Sequence, residues 1–160
     1  MPALDPIDSP MLCDDMTVAI AERIREEYHP ELVEARIRYV FIPHGPAKNG
    51  VVRLGVAKRQ SALNALLTEA DFVIILSHDH WLDLTPSQRE ALLDHELCHC
   101  TVSLDTDGQP DGWALVHHDI EEFAAVVTRH GYVFSRQRDY ARKTHRQLTM
   151  FLAAEPDPTP

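Results

Sequence analysis

No apolar run in this chain of 160 residues approaches the ~20 that a membrane-spanning helix needs, so a bilayer-spanning chain is set aside. Cysteine is scarce and odd in number: Cys13, Cys98 and Cys100 have no framework spacing, which excludes a disulfide-stapled design. Positive charge is short. Fifteen Lys and Arg face 25 Asp and Glu, and a net charge of -10 disfavours bulk binding to nucleic acid, whose phosphates need a basic surface. No GxSxG, phosphate loop or dinucleotide fingerprint is present, and the cysteines lack a matching base, so nothing supports covalent or nucleotide chemistry. The opening MPALDPIDSPMLCDD has neither the basic nor the apolar stretch of a secretory signal, and the expectation is a cytoplasmic protein. What remains is an ordinary globular composition, 44% hydrophobic and 25% charged, at a length that suits one domain.

The charge lies in blocks. Residues 1–34 hold nine acids against Arg23 and Arg25, and residues 35–68 hold six basic residues and no acid. Residues 69–122 hold thirteen acids and the single basic Arg89, and residues 123–154 hold six basic residues against Asp139 alone. The two basic segments could still join into one patch, although solvated faces are the simpler reading. Six of the ten histidines (His78, His80, His95, His99, His117, His118) fall inside the acidic block. Imidazoles and carboxylates gathered in one stretch are the donor set of a transition metal such as zinc.

Along the chain, residues 1–13 read as a loose Pro-rich arm, and Asp14 or Asp15 caps a helix to about Tyr28. Arg36–Ile42 alternates as a strand, Asn49-Gly50 signals a hairpin turn, and Val51–Lys58 reads as a second strand. A helical turn follows over 61–68, and the apolar run Asp71–Ser77 reads as a buried third strand. Thr85 caps and Pro86 opens a helix predicted to run to about Leu104, and 105–113 reads as a loop. Helices are predicted over about 117–130, stopped by Gly131, and over roughly 136–152, before a Pro-rich tail at 153–160. The order α-β-β-β-α-α-α makes residues 14–152 a single α+β domain.

Within the helix that starts at Pro86 stands His95-Glu96-Leu97-Cys98-His99, an HExxH match. Residues i and i+4 share a helix face, so both imidazoles reach one cation, while Glu96 is rotated about 100° and lies beside the ion rather than on it. That position suits a general base for a zinc-activated water. A hydrolytic zinc site needs a third protein ligand and an open position. The donors at hand are His117, His118, Glu121 and Glu122. The preferred arrangement puts His118 on the metal with Glu122 or Glu121 orienting a ligand imidazole; His117, Glu121 or Glu122 are the alternatives. Cys98 and Cys100 read as small buried hydrophobes, and either as a fourth ligand would instead make a closed, structural site. Arg129, His130 and Tyr132 are the donors considered for an oxyanion.

The string FVIILSHDHWLDLTPSQREALLDHELCH, followed by HHDIEEF, resembles the phage-type family of zincin HExxH metallopeptidases and, more loosely, SprT-like domains. The resemblance spans roughly residues 30–135, and the HExxHxxGxxH pattern of metzincins is absent. It implies a minimal zincin-like fold, a small sheet of about three strands packed on the active-site helix. It also implies Zn2+ held by His95, His99 and His118, Glu96 as general base, and hydrolysis of a peptide or protein substrate. A peptide would add as a strand at the edge offered by 71–77 or 51–57. Two rival expectations are a non-catalytic zinc module working through protein or DNA contacts, and a peptidase acting on DNA-bound proteins through the basic segments. No feature of the sequence speaks to oligomeric state.

Overall fold

The computed structural model describes residues 5–48, 51–118 and 124–131. Strand β1 (Met11–Leu12) pairs antiparallel with β2 (Ile37–Ile42), Met11 opposite Phe41, so the end of the arm expected over 1–13 belongs to the sheet. Helix α1 (Asp15–Tyr28) is capped by Asp14, whose carboxylate accepts from the Thr17 N–H at 2.9 Å. Thr17, Ala21 and Ile24 recur on its buried face, and it stops at His29 because the residue before Pro30 is sterically barred from helix.

Strands β3 (Ala47–Lys48) and β4 (Val51–Val52) pair antiparallel on either side of residues 49–50, which lie outside the described residues. The second strand expected over 51–58 is therefore two: β4, and β5 (Gly55–Arg59). Helix α2 (Ala62–Thr68) connects β5 to β6 (Phe72–Ser77). The main sheet has the order β1-β2-β6-β5, with β6 parallel to β2 and antiparallel to β5. Four strands replace the three or so expected. β6 is interior, its Phe72, Ile74 and Leu76 fully buried, so of the two edges proposed from sequence only β5 lies at the end of the order.

A short helix α3 (His78–Asp83), not anticipated from sequence, leads to α4 (Pro86–Cys98). Thr85 and Gln88 form a reciprocal capping box with Pro86 in the first turn. Ala21 and Ile24 of α1, Phe72, Ile74 and Leu76 of β6, and Leu93 and Leu97 of α4 belong to one core cluster. Each of the larger side chains among these contributes on the order of 1.5–3 kcal/mol by leaving water. That packing clamps α4 against the sheet.

Helix α4 ends at Cys98, six residues short of Leu104, and the chain continues as β7 (Cys100–Leu104) and β8 (Pro110–Leu115), an antiparallel hairpin. The Asp/Gly-rich segment expected as a loop between helices is largely its turn and return strand. Asp105 accepts from the backbone N–H groups of Asp107 (2.9 Å) and Gln109 (2.8 Å), and Gly108 takes φ +77°. The helix expected from 117 is described only as α5 (Ala124–His130), ended by Gly131 at φ +69°. The expected helix over 136–152 and the tail at 153–160 lie outside the described residues. The molecule is a small α+β domain, and no helix among the described residues is long and apolar enough to cross a membrane.

Candidate metal centre

His95 lies in the last turn of α4, and His99 is the residue that caps it, still in helical conformation. The four-residue spacing therefore survives the early end of the helix, and the two rings stand 5.1 Å apart, centre to centre. His118 comes from outside the helix, three residues beyond β8. Its Nε2 lies 2.9 Å from His95 Nε2 and 3.1 Å from His99 Nε2. Tetrahedral zinc with nitrogens at about 2.0–2.1 Å separates its donors by about 3.3 Å, so the spacing of this cradle suits such an ion to within a few tenths of an ångström.

The hairpin explains how His118 arrives. The Val116 N–H donates to the His99 carbonyl at 2.9 Å, and His99 Nδ1 donates in return to the Val116 carbonyl at 2.8 Å. The second bond places the proton on Nδ1 and leaves the Nε2 lone pair of His99 facing His118. His95 and His99 are half-buried and His118 is exposed, so the cluster meets solvent.

Glu96 is buried at 3% exposure, with its carboxylate against Gly55 at the start of β5. A Cβ on Gly55 would stand 2.7 Å from Glu96 Oε1 and 3.0 Å from Cδ and Cγ. The end strand of the sheet and the carboxylate are thus in direct contact, which no motif in the sequence signals.

One residue before His95, Asp94 is fully buried. It accepts from His29 Nε2 at 2.6 Å, from Arg129 Nη1 at 2.7 and 2.9 Å through its two oxygens, and from His130 Nε2 at 2.8 Å. Burial by itself would raise its carboxyl pKa, but these bonds outweigh it and hold the group below its ordinary value. Donor atoms of His29, Asp94 and Cys98 are close enough to share a cation. The Arg129 guanidinium already supplies a fixed positive charge there, so this is an ion-pair node rather than a second metal cradle. Arg129 and His130 are accordingly committed to Asp94, which removes them as oxyanion donors; Tyr132 lies outside the described residues.

Other residues singled out from sequence fall elsewhere. His117 is exposed and is not part of the three-histidine group, and Glu121 and Glu122 lie outside the described residues. Neither cysteine belongs to that group. The Cys100 thiol is pushed up by burial, then by the Glu96 charge, as suits an inert core residue. His78 is buried edge-on to Phe41. His80 and His44 both bond through Nδ1 to Asp79, which also accepts from the Ser77 hydroxyl. In the first basic segment Arg36 pairs with Asp71, and most of the second segment lies outside the described residues.

An α+β domain whose HExxH helix gathers a third histidine onto the same face defines a class of metal-dependent hydrolase scaffolds. The family model described as "Putative phage metallopeptidase" matches residues 10–148, and the chain belongs to that family. The family description implies a metal and a peptide or protein substrate. Comparison with curated proteins and with solved structures gives no match.

Proposed function

We propose that this protein is a zinc-dependent metallopeptidase, with His95, His99 and His118 as zinc ligands and Glu96 as general base. The observation that carries the reading is the convergence of three imidazole Nε2 atoms, 2.9 and 3.1 Å from one another through His118, on the helix that also carries a buried glutamate. A bound zinc ion supplies Lewis acidity and lowers the pKa of a coordinated water from 15.7 to about 7.

The residues of the chain divide the remaining work. Val116 holds His99 in the tautomer that offers Nε2 to the metal. Gly55, lacking a side chain, lets β5 approach the Glu96 carboxylate and fix where it points. Glu96 takes a proton from the attacking water and delivers it to the departing amine. β5, last in the order of the main sheet among the described residues, is the strand to which an extended peptide adds, beside Glu96 and alongside β8, whose Trp113 carbonyl accepts from Arg59.

Zinc content and hydrolysis of a quenched fluorescent peptide library, measured together, test this. Wild type should hold about one zinc per chain, and His118→Ala, with two histidines left, should bind it far more weakly and be purified with little. Glu96→Gln should retain zinc and lose about 10²–10⁴-fold in kcat. Full activity in Glu96→Gln removes the general-base assignment. Zinc bound by a wild-type protein that cleaves nothing favours the non-catalytic module.

A further inference from the structure

We propose that Asp94 and Arg129 form a latch that holds His118 at the metal site, so that two residues which never touch the ion set its affinity. The inference rests on the three-histidine reading above.

Asp94 is an unusual place to bury a carboxylate. A buried charge costs more than a hydrophobic group of the same size unless its bonds are well directed, and such pairs are weak evidence for stability alone. What a planar guanidinium provides, with one nitrogen shared between two carboxylate oxygens and its face on an aromatic ring, is direction. Arg129 reaches both oxygens of Asp94, His130 adds a bond to Oδ2, and the Arg129 guanidinium lies 4.5 Å over the Tyr28 ring. Arg129 and His130 occupy the last turn of α5, so the node ties that helix to α4 at the residue next to His95.

The chain between the two ties carries His118. Upstream, Val116 and His99 exchange backbone and ring bonds two residues before it. Downstream, Ala124, the first described residue of α5, follows six positions later. Six Cα steps span at most about 22 Å, so anchoring α5 restricts where His118 can go. Both ends of the ligand-bearing segment are thereby fastened to the helix that bears the other two ligands. Without the Arg129 bonds, α5 keeps the single His130 bond to Asp94 and the packing of Val126 on Ala91, and His118 is held less firmly from that side.

The test measures zinc affinity of the full chain by competition with a chromophoric chelator, and the visible spectrum of the Co2+-loaded protein. Arg129→Ala and Arg129→Lys are made in wild type and in His118→Ala. If the latch acts through His118, Arg129→Ala weakens zinc binding about 10–100-fold in wild type, as loss of outer-shell support does. In the His118→Ala background the same change costs less than about twofold, because the interaction it serves is already gone. The Co2+ spectrum of Arg129→Ala moves towards that of His118→Ala. Arg129→Lys, which keeps the charge but loses the planar guanidinium that lies over Tyr28, falls between wild type and Arg129→Ala, and it carries the comparison if Arg129→Ala fails to fold. A purely structural role would lower the thermal midpoint of the metal-free protein without this dependence on background. Wild-type zinc affinity in both Arg129 variants, or equal losses in the two backgrounds, overturns the latch and leaves the three-histidine site standing. A wild-type protein that takes up no zinc overturns both.

Discussion

At Gly55 the fold leaves no room for even a methyl group, because the space its Cβ would fill is the Glu96 carboxylate. Alanine there must push the carboxylate aside, and the displaced atoms belong to a buried side chain with little freedom to turn. Gly55→Ala should therefore lower kcat about tenfold or more while zinc content stays at the wild-type level, a separation expected when only the base is misplaced. Loss of zinc in that variant would argue that Glu96 is a ligand instead. The two candidate third histidines separate just as cleanly. His118→Ala should weaken zinc binding strongly, and His117→Ala, at an exposed ring outside the cluster, should leave it unchanged by chelator competition. His95, Glu96 and His99 were legible in the sequence because their relation is local, one turn of one helix. His118 was legible as a choice among neighbouring donors. Gly55 and Asp94 were not, since their significance comes from β5 and α5, which only the fold brings to α4.

Helix α4 shows the same division between local and distant causes. Its start could be read because Thr85, Pro86 and Gln88 are self-contained: cap, first-turn proline and reciprocal bond all lie within four residues. Thr85→Ala should cost about 1 kcal/mol in urea unfolding. Its end could not be read, because Cys100–Leu104 becomes a strand only by pairing with Pro110–Leu115, and a helix-compatible sequence ran on past His99. The Asp/Gly-rich stretch between them looked like a linker, and the carboxylate of Asp105 makes part of it a tight turn. Gly108 at φ +77° is where that turn constrains the residue type. Its Cβ would meet nothing, so the cost of Gly108→Ala is conformational, about 1–2 kcal/mol, and should appear as a lower urea midpoint with an unchanged slope. The hairpin matters beyond stability because Val116, at its end, is the bond that brings the chain back to His99.

For the molecule as a whole, two couplings link stability to solution conditions. The first joins the starts of β2 and β6, where the Arg36 guanidinium donates to both oxygens of Asp71 at 2.9 and 3.2 Å and its backbone N–H adds a third bond at 2.8 Å. Bonds from Arg36 hold the Asp71 carboxyl below its ordinary value against the opposing effect of burial. A carboxyl depressed in the folded state binds protons more readily when unfolded. Its stabilisation is complete above about pH 5 and is lost as pH falls through the ordinary value near 3.9 towards the lower folded one. The thermal midpoint of wild type should therefore fall more steeply with acid than that of Asp71→Asn; parallel curves would deny the coupling. The second is the metal proposed at the three histidines. His95 lies in the last turn of α4 with His99 as its cap, and His118 lies in the chain beyond β8, so an ion shared by all three joins two elements that the unfolded chain does not hold together. Binding confined to the folded state stabilises by about 2.7 kcal/mol at a hundredfold excess over Kd. At about 2–4 °C per kcal/mol for a chain of this size, a chelator should lower the midpoint by about 5–11 °C. The same chelator should move His118→Ala far less, because that variant has little metal to lose. Equal shifts in the two proteins would mean that the stabilising metal sits somewhere other than the three histidines.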